Sequence, residues 1–131
     1  MPHFDPVAGL KTLVAYPQIR YVSGVPTMYN DMLHTINTTG MDLGDSNRKL
    51  YGFTGGSIVP LPLRRAYEQK FPNFEFLVVY GTTENSPTSF MTTSDSPKKV
   101  KEETCGFVLP HTGTVIDIWF DTKDKCLINN K

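Results

Sequence analysis

The sequence predicts an α/β fold, a partial and mostly parallel sheet with flanking helices. Helix-period and strand-like segments alternate from Asp5 to Tyr80, as they do where helical crossovers join parallel strands. The run Phe74 to Tyr80 is apolar almost throughout, the pattern of a strand covered on both faces. Proline or glycine punctuates the junctions between segments.

Asp5-Pro6 is an N-cap and first-turn pair. Val7, Leu10 and Val14 then recur at helical spacing until Pro17, so a first helix ends near Tyr16. Ile19 to Ser23 reads as a short strand, and Gly24-Val25-Pro26-Thr27 leads into a helix with Met28, Met32 and Ile36 on one face. From Asn37 to Arg48 the composition turns to Thr, Gly, Asn and Asp, which favours loop. Leu50 to Thr54 reads as a strand closed by Gly55-Gly56. Pro60 and Pro62 then pre-set a helix with Leu63, Ala66, Tyr67 and Phe71 on its apolar face and Arg64, Arg65, Glu68 and Gln69 toward water. Beyond Gly81 the stretch to Glu103 reads mostly as loop, and Thr114 to Phe120 alternates as a half-exposed strand.

At 131 residues the chain has room for one domain, or part of one. Lys plus Arg (13) balance Asp plus Glu (13), so no net field favours nucleic acid or an anionic membrane. The two cysteines and three histidines lack zinc-ligand spacing, and a reduced intracellular setting with an inert Cys105 thiol is expected. No secretory signal is read at the N-terminus, and no apolar run approaches bilayer length. The opening in mid-pattern, with Asp5-Pro6 already starting a helix, reads as an internal piece of a longer domain.

Two strand-end loops carry the chemistry. Gly55-Gly56-Ser57 removes Cβ atoms where a planar ring could lie against backbone, although an ordinary strand-to-helix turn also uses such a pair. Tyr80-Gly81-Thr82-Thr83-Glu84 offers an aromatic wall, close backbone approach, hydroxyl and N–H donors for a phosphate, and a carboxylate for Mg²⁺. A polar loop capped by threonines is the alternative. Right-handed crossovers would bring the ends at Thr54 and Tyr80 to one edge of the sheet, where ligands of open α/β sheets bind. His34 and His111 read as surface or packing residues, and Lys98, Lys99 and Lys101 as a solvated loop cluster.

From about Phe4 to Ile118 the chain resembles the AMP-forming acyl-CoA synthetases of the adenylate-forming superfamily, within them the medium-chain family. The resemblance rests on Tyr21-Val22-Ser23-Gly24-Val25-Pro26-Thr27-Met28-Tyr29, Gly55-Gly56-Ser57-Ile58-Val59-Pro60, Tyr80-Gly81-Thr82-Thr83-Glu84-Asn85-Ser86-Pro87 and Gly106-Phe107-Val108-Leu109-Pro110-His111-Thr112. The Tyr-Gly-x-Thr-Glu core is the specific one. It implies part of the large N-terminal domain of such an enzyme. Gly55, Gly56 and Ser57 would line the adenine and Tyr80 would stack near it. Gly81 and Thr82 would border the acyl pocket, Thr83 would bond the α-phosphate and Glu84 would hold Mg²⁺. Thr83 and Glu84 are thus the candidate catalytic residues. ATP or AMP, Mg²⁺ and coenzyme A are the implied cofactors and co-substrates, with a fatty carboxylate as acyl donor. Met28 and Met32 read as core, with acyl-pocket lining as the alternative.

The upstream phosphate loop ending in lysine, the Thr-Gly-Asp segment, the hinge and the small C-terminal domain of the family are not in this sequence, and Phe107 replaces a residue often basic. Residues 1–118 are therefore expected to be a partial AMP-binding domain and 119–131 a divergent tail, the chain alone being inactive. The alternative is a non-catalytic binding or regulatory fragment that associates with missing domain parts or a full-length relative. Family members work in mitochondria, peroxisomes and cytoplasm, and the resemblance does not choose among them.

Overall fold

The computed structural model describes residues 3–81 and 90–109. The chain divides into two compact units, Met1–Phe76 and Leu77–Lys131, with one strand passing from the first into the second.

The first unit opens on α1 (Pro6–Ala15). Asp5 Oδ1 accepts from the amides of Val7 at 2.9 Å and Ala8 at 3.2 Å, satisfying two of the donors a helix start leaves free. Leu10 and Leu13 are buried, but Val14, expected on the apolar face, is 50% exposed. The stripe that meets the core follows the 10/13 spacing, which turns Val14 outward.

Strand β1 (Tyr21–Gly24) pairs in parallel with β2 (Leu50–Thr54), from Tyr21 opposite Tyr51 to Gly24 opposite Thr54. Between them runs α2 (Pro26–Thr39), which buries Tyr29, Met32 and Ile36. It continues past Asn37, where loop was expected. The hydroxyls of Thr38 and Thr39 bond back to the carbonyls of His34 and Thr35, and left-handed Gly40 (φ 73°) closes the helix on the Ile36 carbonyl. Buried Arg48 then donates to the carbonyls of Leu13 at 3.0 Å, Tyr16 at 3.2 Å and Leu43, capping the last turn of α1 from a distant segment.

Helix α3 (Leu61–Lys70) buries Leu63 and Tyr67 as expected. Arg64, placed toward water by its sequence, is only 3% exposed. The apolar face is broad enough to take in its stem, and the guanidinium lies 5.9 Å from the centre of the Phe76 ring, where the ring's negative face offsets part of its lost hydration. Strand β3 (Phe74–Tyr80) starts here, and the Leu50 amide donates to the Asn73 carbonyl at 3.0 Å.

An aromatic cluster fills the centre of this unit. The rings of Tyr29, Tyr67, Phe74 and Phe76 meet mostly edge to face, with Tyr29 and Phe76 centroids 5.0 Å apart. Gly52 makes the space, since a Cβ there would lie 2.6 Å from Phe74 Cζ and 3.2 Å from the Tyr29 hydroxyl. That hydroxyl reaches the carbonyls of Val22 (2.8 Å) and Phe53 (2.9 Å), joining β1 to β2, while Tyr67 donates to the Tyr29 carbonyl at 2.7 Å.

In the second unit the end of β3 pairs antiparallel with β4 (Phe90–Met91), which pairs antiparallel with β5 (Phe107–Val108). Buried Thr92 accepts the Val78 amide through its hydroxyl at 2.9 Å and donates its own amide to the Val78 carbonyl at 3.0 Å. Lys98, Lys99 and Lys101 sit on a short helix, α4 (Lys98–Glu103), rather than in the expected loop, and Lys101 donates to the Ser94 carbonyl at 2.7 Å. Cys105, expected as an inert thiol, is disulfide-bonded. The expected strand from Thr114 to Phe120 lies outside the described residues.

Burial raises the pKa of both the Tyr29 and Tyr67 phenols above their ordinary 10.0, with the Tyr29 charge adding to the rise at Tyr67. A raised value in the folded state means stability that is complete below pH about 10 and is lost as pH climbs toward the folded pKa. Denaturant titrations should therefore show the unfolding free energy falling above pH about 10, by up to about 1.4 kcal/mol per pH unit for each phenol. Tyr29→Phe should roughly halve that slope. At neutral pH the same variant removes the hydroxyl's bonds to two carbonyls and should cost about 1–3 kcal/mol in urea unfolding.

Candidate functional site

The Gly55-Gly56-Ser57 bend leaves β2 at its C-terminal end, immediately before the segment leading into α3. Parallel pairing sets this end beside the end of β1. Gly24 lies opposite Thr54, and the Cγ1 of Val25 is 3.9 Å from where a Cβ on Gly56 would stand. Gly56 has φ 78°, a conformation that glycine adopts freely and L side chains rarely do. Gly56 and Ser57 are exposed, so the bend presents backbone to solvent, with amides available to a polar ligand and little steric bulk against a flat one.

Thr54, directly before the bend, was not singled out in the sequence. It is 1% exposed, and among the described residues its hydroxyl has no hydrogen-bond partner. Buried hydroxyls usually find a partner, so this one marks a place where the fold tolerates polar strain at the strand end. Residue type alone gives no sign of this, since in Leu50 to Thr54 the aromatic Tyr51 and Phe53 are the more apolar alternates, yet the structure turns Leu50, Gly52 and Thr54 to the core.

Tyr80 and Gly81 belong to the second unit. Tyr80 is half-buried at the end of β3, opposite Phe90, with ring centroids 6.0 Å apart and planes at 63°. Gly81 is exposed. Thr82, Thr83 and Glu84 lie outside the described residues, as does His111. His34 sits exposed on α2, in keeping with a surface role. Among the described residues no group of three His, Cys, Asp or Glu could hold a metal ion, and no helix is long and apolar enough to cross a membrane. Glu84, the expected Mg²⁺ ligand, is among the residues outside that description.

The other face of the β1–β2 pair carries aromatic side chains. Tyr21 is 62% exposed and stacks on Tyr51 at 5.5 Å and against Phe53 at 5.6 Å, while Lys49 lies 5.4 Å from the Tyr51 ring and pairs with Glu75 at 3.0 Å.

The AMP-binding enzyme family model matches residues 1–124. The mitochondrial medium-chain acyl-CoA ligase ACSF2 of Bos taurus is 38% identical over 106 residues, which is 79% of this chain and 17% of that protein. The chain therefore spans about a sixth of the length of that relative. Among solved structures, the inhibitor-bound N-terminal domain of FACL13 from Mycobacterium tuberculosis superposes with a TM-score of 0.64 at 24% identity, covering 82% of this chain and 25% of that one. ATP-bound MatB from Rhodopseudomonas palustris gives 0.61 at 24% identity, covering 84% and 20%. These two likenesses show the fold alone, that of part of each of those chains.

The left-handed bend makes a direct demand on its glycine. Gly56→Val should lower thermal stability by about 1–2 kcal/mol through backbone strain, whereas Ser57→Ala should leave it within about 0.5 kcal/mol. Equal effects in calorimetry would show that the bend is not strained by a side chain.

Proposed function

The chain belongs to the AMP-binding enzyme family, and from that membership we propose that it carries part of the adenylate site of an AMP-forming medium-chain acyl-CoA ligase. The observation that carries the reading is the bare left-handed bend at the end of a parallel strand, within a chain that matches the family over almost its whole length. In the proposed reaction a fatty carboxylate oxygen bonds to the α-phosphorus of ATP and the bond to pyrophosphate breaks. The coenzyme A thiolate then attacks the acyl carbonyl, and AMP leaves as the thioester forms.

Each residue has a stated part in this. Gly55, Gly56 and Ser57 lay backbone against the adenine, and Tyr80 stacks near it. Gly81 and Thr82 border the acyl group. Thr83 donates to the α-phosphate, where negative charge builds during attack, so a fixed donor there stabilises the transition state more than the ground state. Glu84 is the residue that would hold Mg²⁺, which when bound supplies charge neutralisation at the phosphates.

Residues 1–118 act in this reading as a partial AMP-binding domain and 119–131 as a tail outside it. The complete reaction needs parts that the longer relatives have, so the chain by itself binds but does not turn over. The relatives' mitochondrial designation favours that compartment among the three left open by the sequence. A second reading, a non-catalytic fragment that docks on a longer relative, draws on the uncovered aromatic face around Tyr21, because parallel strands are ordinarily covered on both sides.

Calorimetric titration with a non-hydrolysable acyl-adenylate analogue separates the two. The adenylate reading expects saturable binding that weakens tenfold or more in Thr83→Ala and in Glu84→Gln, the latter only with Mg²⁺ present, and no ATP–pyrophosphate exchange by the chain alone. Binding indifferent to both substitutions would remove the site. Capture of a full-length relative without any nucleotide affinity would favour the docking reading.

A further inference from the structure

Thr54 ends β2 with a hydroxyl that is buried and, among the described residues, without a hydrogen-bond partner. Other buried hydroxyls of the chain are treated differently: those of Tyr29, Tyr67, Thr35, Thr92 and Ser96 each have a partner. Gly24, which faces Thr54 across the parallel pair, has no side chain to offer one. An unmade hydrogen bond in the interior is a standing cost to the fold, and a valine of nearly the same shape would not carry it.

A second threonine in the same local setting has made the bond that Thr54 lacks. Thr104-Cys105-Gly106 and Thr54-Gly55-Gly56 both place a left-handed glycine two residues after a threonine, with φ 92° at Gly106 and 78° at Gly56. In the first, the Gly106 amide donates to Thr104 Oγ1 at 3.1 Å, a turn that threonine closes on its own backbone. In the second the turn stands open. The middle residue differs: Gly55 beside Gly56 lets the bend rotate at little steric cost. The acceptor is fixed in the strand and the donor sits on the adjustable bend, where the adenine would lie.

We propose that Thr54 is a positioning residue, whose hydroxyl accepts the Gly56 amide when a nucleotide lies on the bend; the proposal rests on the adenylate-forming reading above. Thr54 itself touches no ligand, being buried behind the bend. Closing the turn fixes Gly55 and Gly56, the residues whose backbone freedom is the most costly to lose, and leaves the Ser57 amide for the ligand. Ligand and hydrogen bond stabilise each other. Bound nucleotide holds the amide in reach of the hydroxyl, and satisfying the hydroxyl adds to the affinity, because it favours the closed bend over the open one.

The test titrates the full chain with a non-hydrolysable acyl-adenylate analogue and follows thermal unfolding without ligand. Thr54→Val should raise the melting temperature of the free chain by about 2–6 °C, since it removes the unmade hydroxyl, and weaken binding by about fivefold or more, since it removes the bond. Thr54→Ser should bring affinity back to within about twofold of wild type. A purely structural threonine would move stability and affinity in the same direction. Amide hydrogen exchange reads the bond directly: saturating analogue should slow exchange at Gly56 by about tenfold or more in wild type, and not in Thr54→Val. If Thr54→Val melts lower or does not fold, the hydroxyl already has its partner in the free chain and the proposal is overturned. If Thr54→Val binds as wild type does, or Gly56 gains no protection in wild type, the bond is not made and the adenylate reading survives. If wild type binds no analogue, the adenylate reading falls and takes this role of Thr54 with it.

Discussion

The first unit depends on one phenol. Tyr29 comes from the helix that follows β1, buries its ring against Tyr67, Phe74 and Phe76, and brings its hydroxyl to carbonyls of both β1 and β2. The strand ends, the crossover helix and the aromatic core are thereby tied at a single atom. Gly52 is its necessary complement, because any Cβ on that strand position would occupy the space of Phe74 and crowd the hydroxyl. Dispersion among the rings holds the helices on the sheet, while the hydroxyl sets their register. The two contributions differ in kind: the first tolerates small rearrangements, and the second is lost once its partner carbonyls move out of reach.

Arg48 plays the matching part at the other end of the unit. A buried guanidinium is costly unless its donors are used, and here they meet the carbonyls of Leu13, Tyr16 and Leu43. The loop from Gly40 to Lys49 is consequently held by the end of α1, so that β2 begins from a defined position. The bend at Gly55-Gly56 inherits its placement from these contacts rather than from any feature of its own.

A site assembled from strand ends has a physical advantage for recognising a nucleotide. Backbone amides and absent side chains supply shape without rotamer entropy, and the parallel strands hold them still before the ligand arrives. On the proposed reading the charge-bearing work would fall to a different segment, Tyr80 to Glu84, whose hydroxyls and carboxylate are the groups a phosphate and its cation require.

Much of this was legible in the order of residues alone. Asp5-Pro6 announces a helix start, Leu50 to Thr54 reads as a strand, and Gly55-Gly56 announces a bend, because capping, strand propensity and positive φ are local properties of a few neighbouring residues. The extension of α2 to Thr39 and the helix at Lys98–Glu103 escaped the same reading, since threonine back-bonding and a weak six-residue helix leave no apolar stripe. Only the tertiary structure decided that Val14 faces solvent while Arg48 and Arg64 are buried, that the Thr54 hydroxyl has no partner among the described residues, and that Met28 and Met32 border a pocket. Each of those outcomes depends on which groups the rest of the chain brings alongside. Burial and hydrogen-bond satisfaction are pairwise quantities, and a residue's own type supplies one member of the pair.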